Sequence, residues 1–210
     1  MSRPPLRVVK VGGSLFDWPL LPTKLSEWLD CQPAMATVFI AGGGRLADLV
    51  RQADRDFQLG EETAHDLCVE LLSVSARLLA CLLPKAQLVR DFLTVQSAAR
   101  LAAAPIDIET PFVIDPRAFL VTFEPKFPGD RLPHNWQVTT DSIAARLSFC
   151  LSAAELVLLK STLPAGETTR QQAAETGCVD EYFPRAASEI AKVKIVNLRQ
   201  PGFPAGELAR

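Results

Sequence analysis

The sequence predicts an α/β fold, an αβα sandwich in which an open, mostly parallel sheet carries helices on both faces. Three observations predict it. Apolar runs of strand length alternate with segments of helical period; the strand runs are apolar at consecutive positions, as strands buried on both faces are; and the first two end in glycines that lead into the next segment. With 210 residues, 48% hydrophobic and 22% charged, the chain can bury a sizeable core, which excludes a disordered or fibrous chain and fits one domain over residues 1–210.

Leu6-Arg7-Val8-Val9-Lys10-Val11 reads as a buried strand ending at Gly12-Gly13. A modest helix around Lys24 to Leu29 precedes Thr37-Val38-Phe39-Ile40-Ala41, a strand that runs into Gly42-Gly43-Gly44, and Arg45 to about Phe57 reads as helix. The clearest helix spans Glu62 to Leu82: Ala64, Leu67, Cys68, Leu71, Leu72, Ser75, Leu78, Leu79 and Leu82 recur at i, i+3, i+4 spacing, Pro84 lies beyond the end, and the opposite face carries His65, Asp66, Glu70 and Arg77. Ala86–Val89 and Phe112–Ile114 are short strand candidates flanking a helical piece from Val95 to Ala104 that stops before Pro105. Pro125, Pro128, Gly129 and Pro133 make Phe123 to Trp136 a loop. Thr139 or Thr140 caps a helix through Leu151, Leu156–Leu159 is another wholly apolar strand meeting Lys160-Ser161-Thr162, and Val193–Asn197 is expected to be the last strand.

The 22 Lys+Arg against 24 Asp+Glu give a net charge of −2, so the basic excess of a nucleic-acid binder is missing and no nucleic-acid partner is expected. No apolar run approaches the ~20 residues that span a bilayer, and Met1-Ser2-Arg3-Pro4-Pro5 lacks the apolar stretch of a secretory signal, so we expect no membrane association and a cytoplasmic setting. Five scattered cysteines, with no C-x-x-C pair, read as reduced, mostly buried thiols.

The candidate site begins with the two glycine turns. Glycine lets the backbone approach a ligand closely, and the free N–H groups of a first helical turn bind anions, so two such turns at the strand ends of one sheet suit a polyphosphate; the competing reading is that they only make tight strand exits. Lys10, in a strand otherwise made of Val8, Val9 and Val11, would bury its ammonium unless it stands at the strand's open end beside a counter-charge such as a phosphate; the competing reading is a lysine that snorkels to solvent or pairs with a structural carboxylate. Ser14 follows glycine rather than lysine, so the P-loop pattern fails. Gly42, Gly44 and Ala47 satisfy G-x-G-x-x-A, but the acidic residue that should end the next strand is replaced by Glu61 and Glu62 opening a helix, which disfavours a dinucleotide enzyme.

Lys-Val-Gly-Gly-Ser-Leu at 10–15, Ala-Gly-Gly-Gly at 41–44 followed by Asp48, and Val-Thr-Thr-Asp-Ser-Ile-Ala-Ala at 138–145 resemble the amino acid kinase family, in the family's order and over most of the chain, Leu6 to about Asn197. Within it, His65-Asp66, the Val-Thr-Thr-Asp-Ser-Ile run, and Gly177-Cys178-Val179-Asp180 leading to Val196-Asn197 look most like the aminomethylfuran phosphate kinase branch, which makes methanofuran-type one-carbon cofactors. The resemblance implies an amino acid kinase-like fold and an ATP- and Mg²⁺-dependent phosphotransferase acting on a carboxylate or phosphate-monoester acceptor, as a homo-oligomer. It implies that Lys10 contacts the transferring phosphate and that Asp141 orients the catalytic lysines, where the residues alone favour an ordinary helix N-terminus capped by Thr139, Thr140 and Asp141. It assigns Gly12, Gly13, Ser14, Lys160, Ser161 and Thr162 to the nucleotide, and Gly43, Gly44, Thr139 and Thr140 to the acceptor side.

The chain departs from the family at Ser161-Thr162-Leu163-Pro164-Ala165-Gly166, where an Asp-x-Asp-Gly type loop is common, and it lacks the Gly-Thr strand that commonly closes the sheet. A nucleotide-binding or regulatory protein without turnover is therefore the alternative. No residue is assigned to a metal: His65 and His134 lie far apart in sequence without ligand-spaced partners. Trp18, Trp28 and Trp136 read as packing residues, with Trp136 also placed to border an acceptor pocket.

Overall fold

A computed structural model of the chain describes residues 5–100 and 110–210. Its strands are β1 (Leu6–Val11), β2 (Ala36–Ala41), β3 (Gln87–Val89), β4 (Phe112–Ile114), β5 (Glu155–Lys160), β6 (Thr168–Thr169), β7 (Val193–Asn197) and β8 (Ala205–Ala209). They form one sheet in the order β3-β4-β2-β1-β5-β7-β8-β6, every neighbouring pair parallel except β7 with β8. The helices are α1 (Leu21–Asp30), α2 (Gly44–Phe57), α3 (Glu61–Leu82), α4 (Phe92–Arg100), α5 (Pro116–Ala118), α6 (Thr140–Leu151), α7 (Arg170–Glu175) and α8 (Phe183–Ala186).

The central strands are buried on both faces, which is why their sequences are apolar at consecutive positions. The two-residue period divides them between two cores. Leu6 and Val8 of β1 and Leu156 and Leu158 of β5 pack with Ile143, Ala144 and Leu147 of α6. Val9, Val11, Val157 and Leu159 face the other way, onto Leu21, Leu25 and Trp28 of α1 and Ala76 and Leu79 of α3. Each such Val or Leu contributes about 1.5–3 kcal/mol on burial. By the same period Lys10 and Lys160 share the α6 face, and α6 is buried along almost its whole length.

The structure corrects four expectations. Val193–Asn197 is not the last strand, because the chain turns at Pro201-Gly202 and returns as β8, the antiparallel strand beside β7; Ala205-Gly206-Glu207-Leu208-Ala209 is mostly exposed and carries no apolar pattern. The buried face of α3 is rotated from the one expected: Val69 and Ala76 are buried with Ala64, Leu72, Ser75 and Leu79, whereas Leu67 and Leu78 are exposed and His65 turns partly inward. Of the five cysteines, all free, only Cys150 is buried, and Cys31 and Cys81 are exposed. Finally, α4 begins at Phe92, earlier than expected; the rest of the segment expected to run to Ala104, like the amino-terminal Met1 to Pro4, lies outside the described residues. Among the described residues no helix is long and apolar enough to cross a membrane.

Candidate active site

The carboxyl ends of β1, β2 and β5 meet at one point on the sheet. The Gly12 N–H donates to the Leu159 carbonyl at 2.8 Å and the Gly42 N–H to the Val11 carbonyl at 2.9 Å, so each turn is tied to its neighbouring strand. The two glycine turns also press on each other. A Cβ on Gly13 would lie 2.4 Å from the Gly44 nitrogen, and Gly44 has φ +51°, in the left-handed region that favours glycine. Part of the glycine requirement is thus mutual packing of the two turns, a reason invisible in the sequence.

Beneath these turns lies a three-membered charge cluster. Lys10 Nζ stands 2.9 Å from Asp141 Oδ1, and Lys160 Nζ donates to Asp141 Oδ2 at 2.7 Å. Lys10 and Asp141 are only 5% and 4% exposed, so this is a buried ion pair with a second cation at its rim. The counter-charge that Lys10 needs is therefore a carboxylate of the chain itself. Burial alone would raise the pKa of Asp141, but the two ammonium groups override it and hold the carboxyl down at about 2. Burial pushes Lys10 below its ordinary value; Asp141 opposes this, Lys160 adds to it, and Asp180 opposes it weakly.

Asp141 is not the helix cap. Thr139 is, its hydroxyl accepting from the Asp141 N–H at 3.4 Å, which leaves the Asp141 carboxylate free to face the lysines. The turn is further held by Asp180, which follows α7: its Oδ2 accepts from the Thr139 N–H (2.9 Å), the Thr139 hydroxyl (2.7 Å) and the Ser142 N–H (3.0 Å), and its Oδ1 accepts from the Ser142 hydroxyl.

Two cavities flank the cluster. One, about 380 Å³, is lined by Ser14, Lys160, Ser161, Thr162, Leu163, Pro164 and Thr176-Gly177-Cys178, and the Ser14 and Ser161 hydroxyls lie 3.1 Å apart across it. The other, a narrow cleft of about 50 Å³, is bordered by Gly43, Ala47, Arg51, His65, Cys68, Trp136, Val138, Thr139 and Thr140. The residues expected at the nucleotide and those expected at the acceptor thus fall largely into separate cavities. Ser14, Lys160, Ser161 and Thr162 share the first; Gly43, Thr139 and Thr140 share the second; Lys10 and Asp141 lie between; Gly12, Gly13 and Gly44 form the packed turns above.

Trp136 borders the cleft as expected, but the side-chain pairings around it were not legible in the sequence. The imidazoles of His65 and His134 stack with centroids 4.7 Å apart across 69 residues of sequence; His65 lines the cleft, and both rings line a neighbouring cavity with Glu70 and Arg117. Burial lowers the His65 pKa first, His134 adds to this and Asp66 opposes it. Trp136 borders the cleft, its Nε1–H donating to Asp54 Oδ2 at 2.8 Å and the Arg51 guanidinium lying 5.0 Å over its ring. Nothing in the spacing of His65, His134, Arg51 or Asp54 marked them as neighbours.

Comparison with solved structures places the fold. The chain superposes on uridylate kinase from Archaeoglobus fulgidus with a TM-score of 0.59 at 16% identity, over 98% of this chain and 100% of that one. It superposes on UMP kinase from Ureaplasma parvum with a TM-score of 0.65 at 12% identity, over 99% and 100%. Against aspartate kinase from Synechocystis the values are 0.59 and 11%, over 97% of this chain and 40% of that one. No protein-family model and no curated protein matches the sequence. At these identities the likeness establishes the fold: the chain is built like amino acid kinases.

Proposed function

We propose that this chain is a small-molecule kinase of the amino acid kinase family, transferring the γ-phosphoryl group of ATP to a carboxylate or phosphate-monoester acceptor. The observation that carries the reading is the Lys10–Asp141–Lys160 cluster at the strand ends, between two cavities. Phosphoryl transfer asks a protein for alignment and for positive charge where negative charge spreads over the moving group, and two ammonium groups aimed by one buried carboxylate meet that need. In this reading Lys10 contacts the transferring phosphate and Lys160 the nucleotide phosphates. Gly12, Gly13, Ser14, Ser161 and Thr162 border the nucleotide, and Gly43, Gly44, Thr139 and Thr140 the acceptor. The neighbours' names supply both acceptor classes, since UMP is a phosphate monoester and aspartate a carboxylate.

Mg²⁺ would enter on the nucleotide. Among the described residues no group of three or more His, Cys, Asp or Glu could hold a metal, and magnesium characteristically binds through substrate phosphates and water. The ion supplies charge neutralisation on the phosphates; the lysines and the glycine turns position them. A complete cluster also favours turnover over a binding-only protein. The finer reading, an acceptor of the aminomethylfuran phosphate type in methanofuran-type cofactor synthesis, is supported by the Gly177–Asp180 and Val196-Asn197 motifs. A cytoplasmic setting, where ATP is supplied and thiols stay reduced, fits the five free cysteines.

Assembly as a dimer is part of the proposal. Leu67, Val74 and Leu78 form an exposed apolar stripe along α3, flanked on one side by Glu70 and Arg77, two turns apart. A second copy laid antiparallel about a two-fold near Val74 covers the stripe and sets Glu70 against Arg77 of the partner subunit, twice by symmetry.

The direct test is thermal stability with Mg·ATP, Mg·ADP and NAD, followed by transfer from radiolabelled ATP to a panel of carboxylates and phosphate monoesters. At a hundred times Kd a nucleotide stabilises by about 2.7 kcal/mol, or roughly 5–10 °C for a domain of this size. Equal shifts with NAD, or none with either adenine nucleotide, would end the kinase reading.

A further inference from the structure

Asp180 is a second, half-buried carboxylate beside the Lys10–Asp141–Lys160 cluster, and the phosphotransferase reading gives it no task. It lies on the segment after α7, some forty residues from α6, yet all of its carboxylate's hydrogen bonds go to the start of that helix. Thr139 and Ser142 each give it a backbone N–H and a hydroxyl, and Asp141 sits between them. A carboxylate that accepts from four donors, three on Oδ2 and one on Oδ1, is engaged chiefly with the turn it holds.

Its location matters more than its cap. Thr139, the residue just before α6, already caps it, as its hydroxyl meets the Asp141 N–H. A second carboxylate placed on the same turn carries a desolvation cost and lies close enough to Asp141 for the two negative charges to disfavour each other; burial first, and Asp141 second, raise the pKa of Asp180. A capping role alone would not require a charge there, since asparagine and serine cap comparably. What the charge does reach is Lys10, whose ammonium it favours, as Asp141 does.

We propose that Asp180 is a positioning residue for phosphoryl transfer: its carboxylate clamps the Thr139–Ser142 turn so that Asp141 stays between the two lysines, and it places a second negative charge on that turn. The inference rests on the phosphotransferase reading of the cluster. The ionisable groups that face Lys10 are Asp141 from α6, Lys160 from β5, and Asp180 and the Cys178 thiol from the segment after α7. Two carboxylates therefore balance two ammonium groups, while burial and each lysine work against the charge on the other. Removing one carboxylate charge tips Lys10 toward its neutral form at a lower pH.

The experiment measures the affinity of the full chain for Mg·AMP-PNP, a non-hydrolysable ATP analogue, from pH 7 to pH 10.5, in wild type, Asp180→Asn and Lys10→Met, with melting temperatures recorded without nucleotide. Wild type is expected to bind evenly up to the pH at which Lys10 loses its proton and more weakly above it; Lys10→Met is expected to lose that break. Asp180→Asn should keep the break but move it to lower pH. A merely structural role would lower the melting temperature and leave the break in place, and that result overturns the inference while the kinase reading stands. Wild type that fails to bind Mg·AMP-PNP at any pH overturns both together. Should Asp180→Asn melt below the assay temperature, Ser142→Ala decides: it keeps the charge and removes one donor of the clamp. Affinity should then fall about three- to tenfold with the break at the wild-type pH, and unchanged affinity overturns the clamp.

Discussion

Replacing Asp141 by asparagine separates a cap from a buried counter-ion, and the structure sets the size of the effect. A cap would tolerate the change, because asparagine caps as well as aspartate. Asp141, however, leaves capping to Thr139 and instead neutralises Lys10 at 2.9 Å and Lys160 at 2.7 Å. Lys160 has 15% of its side chain exposed and can turn outward; Lys10, at 6%, cannot. Removing one partner of a buried ion pair costs about 3–5 kcal/mol, because the remaining charge stays desolvated. At roughly 2–4 °C per kcal/mol for a domain of this size, Asp141→Asn should melt about 6–20 °C below wild type at pH 7.

The deficit should shrink as pH rises. In the variant the native pKa of Lys10 falls further below its ordinary 10.5, so between those two values the unfolded chain binds more protons than the folded one, and stability increases with pH. Lys10→Met in the Asp141→Asn background should recover most of the loss, since it removes the stranded charge while keeping the shape. The assay is circular-dichroism melting of wild type, both single variants and the double variant at pH 7 and pH 9.5. A single variant melting within about 2 °C of wild type at pH 7, or a gap that does not narrow with pH, would refute the counter-ion account.

At the acid end the sign reverses for wild type: the stability that Asp141 contributes is fully present above its ordinary 3.8 and is lost as pH falls toward about 2, which acid titration of the melting temperature in wild type and Asp141→Asn should reveal. Lys10→Ala should lower kcat by on the order of a hundredfold or more, measured with a transfer assay once an acceptor is found; an active enzyme indifferent to it contradicts the assignment. Gly13→Ala drives a Cβ to 2.4 Å from the Gly44 nitrogen and should cost about 2 kcal/mol or more, whereas Gly206→Ala, whose nearest neighbour is the Ile195 side chain at 3.8 Å, should melt near wild type. Val74→Glu on the apolar stripe of α3 should yield a monomer in sedimentation analysis with the fold retained; an unchanged sedimentation coefficient would place any self-association elsewhere.

The sequence by itself determined the central part of this protein. Runs such as Val8 to Val11, Val38 to Ala41 and Leu156 to Leu159 can only be buried on both faces, and glycines directly after the first two leave the chain little choice but a tight turn at the open end of a parallel sheet. Lys10 and Asp141 were legible for a related reason: a lysine in an apolar strand must find a counter-charge, and an aspartate at a helix start stands out. The tertiary structure decided what local pattern cannot encode. β8 carries no apolar alternation and exists because the edge of β7 needs a partner; the buried face of α3 is set by the sheet it packs on, so Leu67 turned out and His65 turned in. It also brought Asp180 to the turn around Asp141 and His134 to His65, across 38 to 69 residues of chain. Periodicity reports on neighbours three or four residues away, whereas charge balance in a buried site is settled by whichever distant segments the fold brings within a few ångströms, and that is information only the folded chain contains.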